Sequence, residues 1–445
     1  MLSAEENHLL CRVEQGAPMG QLMRRHWIPV ALSEQVVTRD GDPVRLRVLG
    51  EDLLAFRDTS GRLGVLGEQC PHRKASLFFG RNEECGLRCL YHGWKFDVEG
   101  NVVEMVSEPP ESRFAEKVRH LAYPTQEAGG FVWIYMGPPD ATPPFDPPPW
   151  APTAETRVSI ARIEIPCNWA QIMEGQIDSA HSSSLHSSDM LPAQVDTAMA
   201  VDTHWIRPST DKSPRIQVQL TDYGMRYAAV RRPILNADTH DYVRITTFVA
   251  PFTALIPPNS SYNVASVIVP RDDTSSYFHF IAWSETAVME QDVWRQFCVA
   301  QVGVDLDTDF RPVLRTQANN FGQDRDAMRR GSFTGIPGIP NQDTAMWVSM
   351  GPIADRTSER LGSSDIAVVQ LRRVLLAAVR RFVATGQAIG LGPSRVPRAT
   401  LRSYQGVVPK SQNWRALGLS DEEAAQFAGL EEDDVERDMA SLGRP

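Results

Sequence analysis

Two short stretches decide the reading of this chain: Cys70-Pro-His72-Arg73-Lys74-Ala75-Ser76-Leu77 and, with sixteen residues between His72 and Cys89, Cys89-Leu90-Tyr91-His92-Gly93-Trp94-Lys95-Phe96-Asp97. Each offers one cysteine and one histidine on a loop between strand-like segments, so two loops can pinch one site from opposite sides. Two thiolates and two imidazoles suit either a tetrahedral structural zinc or a Rieske-type [2Fe–2S] cluster, with the thiolates on one iron and the imidazoles on the other. Zinc sites usually group like ligands, two Cys and then two His. Here every loop carries one of each, which lets both loops serve both irons. The aromatic residues of CLYHGWKFD would shield such a cluster, and the pattern favours it over zinc. Cys85 lies close by, fits neither pair, and reads as a core thiol.

Working outward, VRLRVLG (44–50), DLLAFRD (52–58), LGVLGE (63–68), GLRCLYHG (86–93) and GGFVWIYMG (129–137) read as short strands divided by turn residues, an all-β module. The run GPPDATPPFDPPPWAP (137–152) is too rich in proline for regular structure and marks a semi-rigid linker. Upstream, residues 1–40 read as a helical segment packing on the C-terminal part: one amphipathic helix, the turn-rich GAPMG, and a helix-like QLMRRHWIPVAL broken at Pro29. Downstream, 158–170 reads as a strand and 171–186 as a helix. Antiparallel strands fill 200–285, among them RIQVQL, YVRITTFVA, NVASVIVP and YFHFIAW, and helices dominate from 287. In the longest, Ser364 and Asp365 can cap the start, Gly386 suits the stop, and Ile366, Val369, Val374 and Val379 share one broad face. The expected domains are thus 1–40, 41–150 and 151–445. The expected fold class is α+β: an all-β Rieske domain plus a catalytic domain with a mainly antiparallel sheet covered by helices.

Composition removes other classes. The 445 residues carry 55 acidic and 45 basic side chains, a net charge of −10, which is the wrong sign for phosphate-driven nucleic-acid binding. No run approaches the ~18–20 apolar residues of a membrane span. The start MLSAEENHLLCRVEQG is acidic and amphipathic, unlike a secretory signal. A cytoplasmic protein with neither nucleic-acid nor membrane partners is expected. Six cysteines are too sparse for a disulfide framework and point to metal.

A second constellation, Asp178-x-x-His181-x4-His186, supplies two histidines and a carboxylate, the ligand set of mononuclear non-haem Fe(II) sites with positions left open for O₂. At about 100° per residue Asp178 and His181 share a helix face, but His181 and His186 diverge by about 140°. A regular helix could not aim both imidazoles at one ion. The run Ser182-Ser183-Ser184 propagates helix poorly, so the helix can end or bend there.

With both motifs in place, the order of CPH, CLYHGWKFD, a proline-rich linker and NWAQIMEGQIDSAHSSSLH resembles the oxygenase component of Rieske non-haem iron aromatic-ring hydroxylases. It is most similar to their phthalate 4,5-dioxygenase branch. GAPMGQLMRRHWIPVAL and MGPIADRTSERLGSSD extend the resemblance over nearly the whole chain. One departure is Lys74, where the family usually has glycine; no ligand changes, but a long cation there bears on redox potential or docking. The resemblance implies Cys70, His72, Cys89 and His92 as cluster ligands and His181 and His186 as iron ligands. It also implies the third iron ligand at Asp343, which the residues alone do not separate from Asp324, Asp326 or Asp355. Asp178 then becomes a bridging carboxylate between His181 and the cluster histidine His92 of a neighbouring subunit, in a homotrimer or a stacked hexamer. An NADH-dependent flavin/[2Fe–2S] reductase and O₂ are the implied partners.

For substrate, arginines at sheet-facing positions are informative, because an inward guanidinium is costly unless it meets an anion. Arg207 follows the apolar HWI; Arg244 shares a strand face with Tyr242, Thr246 and Phe248 by period-two alternation. Two such forks could grip an aromatic dicarboxylate such as phthalate. The alternative is that both arginines face outward or pair with internal acids. The expected reaction is cis-dihydroxylation of the ring, with monooxygenation or O-demethylation of a substituted benzoate as the alternative on the same scaffold.

Overall fold

The structure is a computed structural model that describes residues 1–425 apart from 15, 152–155, 195–198, 202–203, 259–261, 287–289 and 393–394. Two compact units emerge: one from Met1–Cys11, Pro149–Ile268 and the chain from Ser276 onward, the other from Arg12–Pro148 and Val269–Ser275. The unit boundary at Pro148/Pro149 falls inside the proline-rich run. Of the N-terminal segment only Met1–Cys11 clusters with the catalytic unit, so residues 12–40 depart from the expected grouping.

The reason is a strand. QLMRRHWIPVAL is not helical throughout: a short helix, Pro18–Met23, gives way to a strand at Trp27–Leu32. That strand pairs antiparallel with Phe131–Tyr135, and a register shift between Pro29 and Ala31 accommodates the proline. All six of its residues are buried, which hides the alternation that would have marked it as a strand. The rest of this unit is β: Val44–Val48, Glu51–Arg57 and Leu63–Gly67 form one small sheet, and Arg81–Glu83, Gly86–Arg88, Trp94–Phe96 and Val102–Met105 form another. Leu54, Phe56, Leu66, Leu77, Leu87 and Phe96 pack as its core around Cys70, Cys89 and Trp94. Cys85 is not in that core; it is half-buried at a hairpin turn with a left-handed backbone, φ 58°.

The other unit is built on an eight-stranded antiparallel sheet. Its strands include Arg157–Ile165, Gly224–Arg231, His240–Val249, Asn263–Pro270 and Ser276–Ser284, joined late in the chain by Tyr404–Pro409 beside His240–Val249. A small separate sheet holds Met190–Pro192 parallel to His204–Arg207. Helices Trp169–Ile177, Ile339–Ser349 and Ile366–Thr385 complete the frame around the site. The last ends as expected at Gly386, φ 74°, but its buried face runs through Val368, Leu371, Leu375, Val379 and Phe382, leaving Ile366 exposed. Asp365 occupies the N-cap position without a side-chain cap bond. No helix among the described residues is long and apolar enough to cross a membrane.

Candidate metal centres

The two cysteine–histidine loops are built alike. Lys74 N–H donates to Cys70 O at 2.9 Å, and Gly93 N–H donates to Cys89 O at 3.0 Å, so each ligand pair is wrapped into one tight turn. The residue closing each turn is left-handed: Lys74 at φ 64° and Gly93 at φ 75°. The thiols point inward and are buried, whereas His72 is exposed and His92 partly so. The imidazole rings lie 4.5 Å apart between centroids, and His72 stacks on Trp94. Burial, followed by the nearness of Cys89, pushes the Cys70 thiol up to about 11. His92 Nδ1 is buried and has no hydrogen-bond partner among the described residues, which leaves it available to another ligand. The donor set therefore fits a cluster that takes thiolates from inside and imidazoles from the surface.

The second centre forms where a helix stops early. Asn168 caps Trp169–Ile177 by accepting from Ala170 N–H, and the helix ends at Ile177, ahead of the serine run. Asp178 already has extended backbone, φ −80°, ψ 107°, and a 3₁₀ turn at His181–Ser183 follows. The break solves the 140° problem: His181 Nε2 and His186 Nε2 come within 3.2 Å, their rings 83° apart. Asp343, in the second turn of helix Ile339–Ser349, places Oδ1 at 3.2 Å from His186 Nε2 and 3.6 Å from His181 Nε2. The other acids are engaged locally: Asp324 caps a short helix, Asp326 pairs with Arg329, and Asp355 accepts from Thr357. Among the described residues His181, His186 and Asp343 are the one trio whose ligand atoms all close to within 4.8 Å.

Electrostatics favour a cation at this trio. Burial works against charge on His181, yet the hydrogen bond to Asp178 and the charge of Asp343 hold it above the ordinary histidine value. Asp178 Oδ2 lies 3.5 Å from His181 Nδ1 and its Oδ1 accepts from Ala180 N–H, fixing which ring nitrogen faces Asp343. Burial would raise the Asp178 carboxyl, but that histidine contact keeps it below the usual range.

A cavity of about 580 Å³, mouth included, opens beside the trio. Met190, Trp205, Phe278 and Phe280 line it with apolar surface, and Tyr227, Thr246 and Arg244 with polar groups. Arg244 is buried and donates to Tyr242 Oη at 3.3 Å, in keeping with the strand alternation, and to Pro257 O at 3.2 Å. Arg207 is buried too but does not line the cavity; it reaches Ser182 Oγ, which does, at 3.4 Å. Burial, and then the charge of Arg244, push Arg207 down to about 10. Sequence reasoning missed a third member, Arg231. It donates to Ser179 O at 2.8 Å and to Ser183 Oγ at 3.4 Å, and burial with Arg244 and Arg207 beside it lowers it to about 10. With Arg244 beside them, these buried guanidiniums form an anion-seeking end to the site.

Known proteins fall in line with this geometry. The Rieske [2Fe–2S] domain profile matches residues 26–120, and the "LigXa C-terminal domain like" profile matches residues 134–437. The chain is 62% identical over 416 residues to the phthalate 4,5-dioxygenase oxygenase subunit of Pseudomonas putida, covering 93% of this chain and 94% of that one. It is 37% identical to the 3-chlorobenzoate-3,4-dioxygenase oxygenase subunit of Comamonas testosteroni, covering 93% and 97%. Among solved structures, the terminal oxygenase of carbazole 1,9a-dioxygenase from Novosphingobium sp. KA1 shares the fold, with TM-score 0.54, 19% identity and 85% and 98% coverage. With a Rieske [2Fe–2S] domain, a mononuclear-iron catalytic domain and relatives of this closeness, the chain belongs to the oxygenase subunits of the Rieske non-haem iron dioxygenases, oxidoreductases that take O₂ and draw electrons from a partner reductase.

Proposed function

We propose that the chain cis-dihydroxylates an aromatic dicarboxylate such as phthalate, in the cytoplasm, with electrons from NADH through a flavin/[2Fe–2S] reductase. The observation that carries this reading is the polarity of one cavity: Arg244, backed by Arg207 and Arg231, at one part of its wall and the His181–His186–Asp343 trio at another. The 62% identity to a phthalate 4,5-dioxygenase oxygenase subunit supports the same substrate class. Cys70, His72, Cys89 and His92 would hold the cluster, and His181, His186 and Asp343 the iron. Bound there, these groups would supply stored electrons and the activation of O₂.

The protein's own contribution is positioning. Arg244, with Arg207 one side chain behind it, binds carboxylates by charge-assisted forks, and the Trp205, Phe278 and Phe280 wall confines the ring and excludes water. Asp178 holds His181 by its Nδ1 edge and bridges to His92 of a neighbouring copy, which calls for a ring of subunits, a homotrimer or two stacked trimers.

Oxygen uptake with product analysis tests this, using purified protein, a surrogate reductase, NADH and a panel of benzene mono- and dicarboxylates. A cis-dihydrodiol from phthalate or an isomer, with O₂ consumed in step, is expected. Phenol or aldehyde from a methoxy- or aryloxybenzoate, with dicarboxylates inert, would overturn the substrate and leave the metals.

A further inference from the structure

The two histidines of the trio are oriented by different means. His181 has a carboxylate directly on its Nδ1 edge, Asp178. His186 instead faces an amide: Gln342 Oε1 lies 2.7 Å from His186 Nδ1. On its other side Gln342 Nε2 donates to Asp189 Oδ2 at 2.8 Å and to Ile336 O at 2.9 Å. Gln342 and His186 are only 2% and 3% exposed, so water has little access to the contact between them.

Donor and acceptor rules fix the arrangement. A carboxylate oxygen and a backbone carbonyl can only accept, so the face of Gln342 toward Asp189 and Ile336 must be its NH₂ group. Its oxygen therefore faces His186, and an amide oxygen can only accept, so His186 carries its proton on Nδ1. In the neutral imidazole of this tautomer the lone pair is on Nε2, which faces the point it shares with His181 Nε2 and Asp343 Oδ1, 3.2 Å from each. Gln342 also directly precedes Asp343 on helix Ile339–Ser349, so one helix turn delivers a carboxylate and aligns an imidazole.

We infer that Gln342, anchored by Asp189, is a positioning residue that locks His186 in the Nδ1–H tautomer for metal binding. The inference rests on His186 being an iron ligand. It also makes the site asymmetric: His181 is backed by a charge, His186 by a neutral amide with the charge one residue farther away.

The test uses the full-length protein with its cluster in place, depleted of mononuclear iron and titrated with Fe(II) against a chelator. The electron paramagnetic resonance spectrum of the Fe(II)–nitric oxide adduct is the second readout, and the cluster's visible absorption the internal control. Gln342→Met, close in shape and without either hydrogen-bonding group, is expected to weaken Fe(II) binding about 10- to 100-fold and to change the adduct spectrum, with the cluster absorption intact. Asp189→Asn, which can still turn an acceptor toward Gln342, is expected to stay within about threefold, and Asp189→Leu to fall between the two. Fe(II) affinity and spectrum unchanged in Gln342→Met overturn the inference; should that variant fail to fold, an unchanged Asp189→Leu does so. His186→Ala separates the premises: if it loses iron while Gln342→Met does not, only the positioning role falls. If His186→Ala keeps iron, the ligand assignment falls with it.

Discussion

The two proposed metal centres solve the same problem in opposite ways. The cluster loops bring four ligands from 23 consecutive positions, with thiols in the core and imidazoles at the surface, and each loop is a self-contained turn. The iron trio draws on ligands up to 162 residues apart, is buried at His186 and Asp343, and depends on supports outside the ligand segments. A centre that hands electrons onward needs its imidazole edge reachable. A centre that meets O₂ and substrate needs walls. The sharpest break between them is ligand removal: Cys70→Ser is expected to abolish the cluster's visible absorption while iron remains, and Asp343→Ala to abolish mononuclear iron while the absorption survives. Turnover should fall to background in both. If Asp343→Ala keeps its iron, a different third ligand is at work.

Asp178 is where the two centres would meet. Asp178→Asn preserves shape but turns the group beside His181 Nδ1 into a weaker, neutral partner. Both metals are expected to stay bound while NADH-driven turnover drops about 100-fold, at the upper end of what such supporting residues contribute. Turnover near the wild-type rate in a metal-replete Asp178→Asn protein would sever the proposed bridge.

These contrasts also decide what was legible beforehand. The cluster loops could be proposed from sequence because the candidate ligands are local and the turns that hold them are built from consecutive residues. The trio was half legible: His181 and His186 lie within six residues, but no periodicity links them to Asp343, which came from family likeness. The serine run announced a break, yet the helix stops earlier, at Ile177. Arg231 escaped because its strand, Gly224–Arg231, is buried along its entire length and shows no alternation to mark an inward face. Trp27–Leu32 was misread for the same reason. Gln342 left no signal beyond its place beside Asp343.

The buried site is also the one leaning on a costly support. Glu174, on the helix that leads to Asp178, takes Arg356 and Arg372 on its two oxygens, at 2.8 to 3.1 Å, and Arg372 also grips Glu359. Burial opposes its charge, but the two guanidiniums win and hold Glu174 below the ordinary glutamate value. A carboxylate depressed in the folded state stabilises the fold above its unfolded value, roughly 4.3, and loses that contribution as pH falls through the folded value. Glu174→Gln leaves the buried Arg356 without a carboxylate and Arg372 with Glu359 alone, and is expected to cost about 3 kcal/mol of stability at pH 7, with a smaller loss on acidification than wild type. Thermal unfolding from pH 7 to pH 4 measures this, and cluster absorption and catalytic-unit melting report whether the damage is confined to one unit.

Within the cavity, Arg244→Ala is expected to cost a dicarboxylate about 2 kcal/mol of binding, roughly thirtyfold, with a smaller loss for a monocarboxylate. Arg207→Ala should act in the same direction but more weakly, since Arg207 stands behind Ser182. Equal losses for mono- and dicarboxylates in both variants would contradict a paired grip.

The smallest effect belongs to the exposed centre. Lys74 and Gly93 close equivalent turns with the same left-handed backbone, but only glycine adopts it without cost. At Gly93 a Cβ would also sit 2.3 Å from Val106 Cγ2, so that exposed valine would have to turn aside. At Lys74 the side chain is exposed, so the strain is tolerated. Lys74→Gly should relieve about 1 kcal/mol of backbone strain, partly offset by the greater freedom of glycine in the unfolded chain. The net change in thermal stability is expected to be within about 1 kcal/mol, whereas removing a cation two residues from His72 should lower the cluster's reduction potential. A redox titration of the Rieske absorption separates the two. A lowered potential with near-constant stability means that the lysine is kept for its charge. An unchanged potential with a clear gain in stability means that the strain serves some purpose other than redox tuning, and the surface where a reductase docks becomes the place to look.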